Sequence, residues 1–196
     1  MPPFVLASAS PARLRLLKSI GLNPFIQASN FDESSLSFDS APALAAGLAL
    51  AKAQTVATYF NQSLILGCDS LLLLDGEIQG KPQSPQAALE RWRKMRGRRG
   101  ELYTGHALID QTQGKVLQAT GLTGVRFADA DDRTLQAYIA TGEPLHCAGA
   151  FALEGKGGLL IEGIEGCHSN VIGLSLPILR RLLAQLGYGL GDLWGG

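Results

Sequence analysis

The 196-residue chain carries 17 basic and 17 acidic side chains, 46% hydrophobic residues and 24 glycines. That length holds one compact domain, 1–196, or two small lobes sharing a core, and the apolar share excludes a disordered chain. A formal net charge of zero argues against a dedicated nucleic-acid partner, which calls for a basic surface.

In chain order, Phe4 to Ala7 reads as a short buried strand and Pro11 to Ser19 as a helix ended by Gly21. Pro24 to Ala28 fits a second strand, and a polar segment follows from Ser29 to Ser40. Pro42 opens a long helix reaching Phe60. Leu64 to Leu74 is a strongly apolar strand, and Asp75-Gly76 signals a hairpin turn. Ser84-Pro85 begins a helix to Met95. Leu102 to Ile109 and Val116 to Phe127 read as strands, Asp131 to Ile139 and Pro177 to Leu186 as helices, and the Gly-rich end as frayed. Alternating strands and helices make the class α/β. The segment from Gly142 to Gly173 holds 8 of the 24 glycines, which marks it for tight turns and close backbone approach.

The N-terminus has no basic segment ahead of its short apolar run, which predicts no secretory signal. Ala41 to Ala51 is broken by Pro42 and stopped by Lys52, short of the roughly 20 residues a membrane span needs. Cys68, Cys147 and Cys167 form no CxxC pair, so reduced thiols in a cytoplasmic protein are expected and the Asn61-Gln62-Ser63 sequon is idle.

Three residues sit oddly in their surroundings. Arg13 falls in the first turn of a helix opened by Ser10 and Pro11, where a cation is disfavoured unless an anion binds the N-terminus. A plain capped helix with a solvated arginine fits as well. Lys52 shares a helical face with Leu44, Leu48 and Val56, and it either meets a partner or extends its stem to solvent. Asp69 lies inside the apolar strand Leu64 to Leu72, where it needs a metal, a cation or a proton unless the strand ends there and the carboxylate points into solvent. Cys68 faces the opposite side of that strand and reads as a core thiol.

Other signals are weaker. Gly80-Lys81-Pro82 follows the hairpin but lacks the Ser/Thr of a phosphate-binding P-loop. The six basic residues between Arg91 and Arg99 fit a solvated helix end better than a polyanion site. His146-Cys147 and Cys167-His168 make poor zinc pairs, because neighbours in an extended strand face opposite ways.

Taken together, these segments resemble the Maf-like proteins, a family of nucleoside triphosphate pyrophosphatases also called septum formation inhibitors. The matching residues are Ser8-Ala9-Ser10-Pro11 with Arg13, Leu16 and Leu17; Asp32-Glu33; Ala51-Lys52-Ala53; Gly67-Cys68-Asp69; Gly80-Lys81-Pro82; Tyr103-Thr104-Gly105; Ala148-Gly149-Ala150-Phe151; and Ser169 to Leu174. The resemblance implies two lobes with a mixed sheet around a central cleft, as in inosine triphosphate pyrophosphatases, and a homodimer. It implies hydrolysis of a nucleoside triphosphate to the monophosphate and pyrophosphate with a divalent metal cation, Mg²⁺ or Mn²⁺. Asp69 would then be the proton acceptor, Glu33 and Asp69 the metal carboxylates, and Lys52 and Lys81 with Ser8, Ser10 and Arg13 the triphosphate partners.

Within that family, one group acts on dTTP and UTP and another on 7-methyl-GTP. The positions that separate them are Ala12, Ser70 and Glu154 here. Ala12 and Ser70 follow neither group, whereas Glu154 matches the 7-methyl-GTP group. A carboxylate can accept both N1–H and the 2-amino group of guanine. The family name also leaves a non-catalytic role in septum inhibition as a different class of function.

Overall fold

The structure is a computed structural model and describes residues 1–194; Gly195 and Gly196 lie outside the described residues. The elements alternate as the sequence requires: β1 (Phe4–Leu6), α1 (Pro11–Ser19), β2 (Phe25–Ile26), α2 (Ala41–Ala57), β3 (Leu64–Leu74), β4 (Glu77–Gln79), α3 (Pro85–Met95), β5 (Arg99–Asp110), β6 (Lys115–Phe127), α4 (Asp132–Ala140), β7 (Ile161–Glu165), α5 (His168–Ile172), α6 (Leu176–Gln185) and α7 (Gly191–Trp194). Among the described residues, seven strands form a mixed sheet in the order β2-β1-β3-β5-β6-β7, with β4 paired to β3. The strand β1 runs parallel to β2 and β3, whereas β4 is antiparallel to β3 and β7 to β6. The class is therefore α/β, as expected. No helix among the described residues is long and apolar enough to cross a membrane.

Backbone contacts divide the chain into two compact units. The first comprises Met1–Asp69, Thr104–Gly121 and the chain from Gly173 onward. Strand alternation gives it two cores. Phe4, Leu6, Leu64, Leu66, Cys68 and Leu108 point towards Leu17 of α1 and Ile178, Leu179 and Leu182 of α6. Val5, Ala7, Ile65, Ala107 and Ile109 point the other way, against Ala49, Ala53 and Val56 of α2.

The second unit comprises Ser70–Tyr103 and Leu122–Ile172. Its core gathers Leu72 and Leu74 of β3, Leu89, Trp92 and Met95 of α3, Leu135 and Tyr138 of α4, and Phe127 and Phe151. Trp92 stands edge-on to Phe127 and Tyr138, each with ring centroids 5.7 Å away. Its indole N–H donates to the Ala150 carbonyl at 2.8 Å.

Three expectations need correction. The long helix stops at Ala57 rather than Phe60, because the Gln111 amide donates to both the Ala57 and Phe60 carbonyls at 2.9 Å and captures the chain end. The segment expected to fray folds into α7 as far as Trp194, whose indole N–H donates to the Ile20 carbonyl at 2.9 Å. Finally, the glycine-rich stretch from Gly142 to Gly173, to which the sequence assigned no strand or helix, contains β7 and α5.

Candidate active site

The packing of α2 on the sheet sets up the first group of side chains. A Cβ added at Gly67 of β3 would lie 2.1 Å from the Ala49 carbonyl oxygen, and one at Gly105 of β5 would lie 2.1 Å from that of Ala45. The helix backbone therefore rests directly on two bare sheet positions, which only glycine permits. Two residues beyond Gly67, on the same face of β3, comes Asp69, and Lys52 of α2 reaches it.

The Lys52 ammonium donates to Asp69 Oδ1 and, at 2.7 Å, to Glu33 Oε1. Asp69 is buried and the Lys52 side chain is 12% exposed, whereas the Glu33 side chain is 57% exposed. Glu33 opens a 3₁₀ turn (Glu33–Ser35) capped by Asp32, whose carboxylate accepts the Ser34 N–H at 3.1 Å. The cation demanded by Asp69 is thus Lys52, and the partner demanded by Lys52 is a pair of carboxylates. Lys52 lies beside the buried stripe Ala45, Leu48, Ala49, Ala53 and Val56 rather than within it. This location lets the ammonium leave the apolar face without reaching bulk water.

The second group surrounds the start of α1. Ser10 caps the helix by accepting the Arg13 N–H at 3.4 Å. Arg13 does not point to solvent: Nε donates to the Gly173 carbonyl at 2.8 Å and Nη1 to the Ser8 hydroxyl at 3.0 Å. Ser8 also accepts the Ser10 N–H at 3.2 Å. Ala12 is half-buried in the same turn. A helix N-terminus, two hydroxyls and a held guanidinium converge there, a combination suited to an anion.

Sequence reasoning overlooked what supports this arginine. His106 is fully buried on β5, and its Nε2 accepts the Ser175 N–H at 2.8 Å. That bond fixes the chain two residues after Gly173. Burial lowers the His106 pKa from 6.5 to about 4, with the Arg13 charge adding to the shift, so the ring stays neutral and keeps its acceptor. No motif signals this residue, because a single histidine in an apolar strand is uninformative until its neighbours are known. Cys68 behaves as a core thiol: burial pushes it up to about 12. Desolvation outweighs the nearby Arg13 and Lys52 charges, which favour the thiolate.

The remaining candidates belong to the second unit. Lys81 is exposed, on a loop whose preceding carbonyl, Gly80 O, accepts from the Gly149 N–H at 3.1 Å and from Arg91. The basic run therefore has structural partners: Arg91 holds this loop, Arg93 and Arg96 pair with Asp132, Arg98 with Asp75, and Arg99 with Glu101 and Glu165. Glu154 lies exposed in a turn before a 3₁₀ segment (Lys156–Leu160). Ser70 follows Asp69 on β3 and is half-buried. Lys81 and Glu154 both act on Cys147, a half-buried thiol that burial pushes up to about 11.

Fold and site together define an α/β protein with a half-buried lysine bridging two carboxylates and an arginine tethered at a helix N-terminus. The model of the family described as Maf-like protein matches residues 3–186. The chain belongs to that family. It is 65% identical over 195 residues to the nucleoside triphosphate pyrophosphatase of Synechocystis sp. (strain ATCC 27184 / PCC 6803 / Kazusa), covering 99% of this chain and 100% of that one. It is 59% identical to the protein of the same name from Gloeothece citriformis (strain PCC 7424), covering 98% of each. Among solved structures, that of the Staphylococcus aureus Ham1 protein aligns with a TM-score of 0.45 at 19% identity, over 65% of this chain and 73% of that one.

Proposed function

We propose that this protein hydrolyses the α–β phosphoanhydride of a nucleoside triphosphate, releasing the monophosphate and pyrophosphate, as the names of its relatives suggest. The observation that carries the proposal is Asp69. It is a buried carboxylate paired with one ammonium, two residues along β3 from the bare Gly67 on which α2 rests. Such a group can accept the proton of an attacking water, and phosphoryl-group hydrolysis asks little else of a protein beyond positioning and charge stabilisation. Arg13, Ser8 and the α1 N-terminus would bind phosphate oxygens. Lys52 would exchange a carboxylate for a phosphate oxygen as substrate enters. The resemblance adds Ser10 and, from the second unit, Lys81.

Among the described residues, no group of three or more His, Cys, Asp or Glu side chains could hold a metal ion by itself. Glu33 and Asp69, two hard oxygen donors meeting at one ammonium, do fit a Mg²⁺- or Mn²⁺-type cation that arrives on the substrate's own phosphates. Such a cation would neutralise phosphate charge and lower the pKa of attacking water.

We further assign Glu154 as the base reader and 7-methyl-GTP as the favoured substrate, in a role that clears modified nucleotides. A carboxylate accepts the two guanine donors, and methylation at N7 adds positive charge to the base. The reading extends to a homodimer, which rests on the resemblance, and to a cytoplasmic location, which rests on the three cysteines without a CxxC pair.

A panel of triphosphates with Mg²⁺, scored for both products, tests the assignment. Pyrophosphate release, fastest for 7-methyl-GTP, is expected. Orthophosphate alone would reject the reaction, and faster turnover of dTTP or UTP would reject the base. Asp69→Asn should lower kcat by about a hundredfold or more, the contribution of a positioned base. A division-arrest phenotype that persists in that variant would favour the non-catalytic role.

A further inference from the structure

The turn that carries Glu154 is tied down by two side chains that neither the motifs nor the proposed chemistry uses. Glu143, at the start of a 3₁₀ segment (Glu143–His146), accepts three hydrogen bonds. Its Oε1 takes the Tyr138 hydroxyl at 2.9 Å and the Gly157 N–H at 2.9 Å, and its Oε2 takes the Lys156 N–H at 3.0 Å. The Tyr138 oxygen in turn accepts the Ala152 N–H at 3.3 Å. One carboxylate and one phenol therefore grip the chain on both sides of Glu154, at residue 152 before it and residues 156 and 157 after it.

The surrounding residues match this arrangement. A Cβ at Gly155 would lie 2.4 Å from Glu143 Oε2, and one at Gly157 would lie 2.4 Å from the Tyr138 oxygen. Both glycines give the strut its room. Tyr138 is 6% exposed and stacks edge-on with Trp92, so the phenol is anchored in the core of its unit. Burial pushes the Glu143 carboxyl up, but the N–H groups of Gly157 and Lys156 and the Tyr138 hydroxyl outweigh it and hold the group below its ordinary value. The acceptor is thus charged throughout the neutral range.

We propose that Tyr138 and Glu143 are positioning residues for base recognition: they form a rigid strut between the core of the second unit and the 152–157 turn, and so fix the place of Glu154. The inference rests on the proposed reading that this turn meets the base. A strut of this kind changes which base is accepted and leaves the hydrolytic groups of the first unit untouched.

The test compares Tyr138→Phe, Glu143→Gln and Glu154→Gln for kcat and KM on 7-methyl-GTP, UTP and dTTP with Mg²⁺. Tyr138→Phe keeps the buried ring and removes only the hydroxyl, so it remains informative where Glu143→Gln loses stability. Both strut variants are expected to raise KM for 7-methyl-GTP about tenfold, the worth of one or two well-made hydrogen bonds. Their kcat should stay within about twofold and the preference over pyrimidines should flatten, since uniform binding alters KM alone. If all three variants flatten the preference, strut and reader both stand. If only the strut variants do, Glu154 is not the reader and the proposal that the strut acts by placing it is overturned. If only Glu154→Gln does, the strut proposal is overturned and the reader stands. If none does, both fall.

Discussion

The partners of single residues settle questions that identity leaves open. Asp69 and Lys52 are each costly in an apolar setting and each satisfied by the other. His106 carries a different kind of constraint. Its depressed pKa means that the unfolded chain takes up a proton near pH 6.5, while the folded protein refuses it until about pH 4. The unfolded state therefore binds more protons throughout that window, and stability falls as pH drops through it. Urea unfolding at pH 7 and pH 4.5 should differ by about 2–3 kcal/mol from this group. His106→Gln should remove that part of the slope, even where it lowers stability at pH 7.

Elements show where sequence signals are local and where they are not. α1, α3 and the β3–β4 turn begin and end where sequence places them, because Ser10-Pro11, Ser84-Pro85 and Asp75-Gly76 encode their own boundaries. β7 has no such code: its five residues include a glycine and gain strand geometry only by pairing with β6. α5 is equally context-bound, with the Asn170 amide donating to the Leu102 carbonyl at 3.3 Å and to Thr123 Oγ1 at 3.1 Å. The contact of α2 with the sheet belongs to the same scale. Gly67→Ala would drive a methyl group into the Ala49 carbonyl and lift the helix that carries Lys52. The expected cost is about 2–3 kcal/mol of stability, with turnover lost more steeply than melting temperature. Calorimetry and product release on the same sample check both.

At the scale of the molecule, each unit has its own core, and Trp92 is the largest fully buried side chain. It joins α3 to α4 and hydrogen-bonds to the segment just before Phe151. Trp92→Ala should cost about 3–5 kcal/mol, measured as a shift of the denaturant midpoint. The zero net charge, which argued against nucleic acid, is compatible with a small polyanion. The basic run is engaged with carboxylates and a carbonyl, while Arg13 and Lys52 stand where a few cations suffice. Sequence alone determined the α/β class, the capped helices, the apolar strand with its one carboxylate, and the family, since each depends on neighbours along the chain. Only tertiary structure decided that Lys52 pairs with Asp69 and Glu33, that His106 steadies the segment holding Arg13, and that Glu143 grips the Glu154 turn. These contacts close over separations of 13 to 69 residues, where the balance of burial, hydrogen bonding and close backbone approach is set by packing rather than by local pattern.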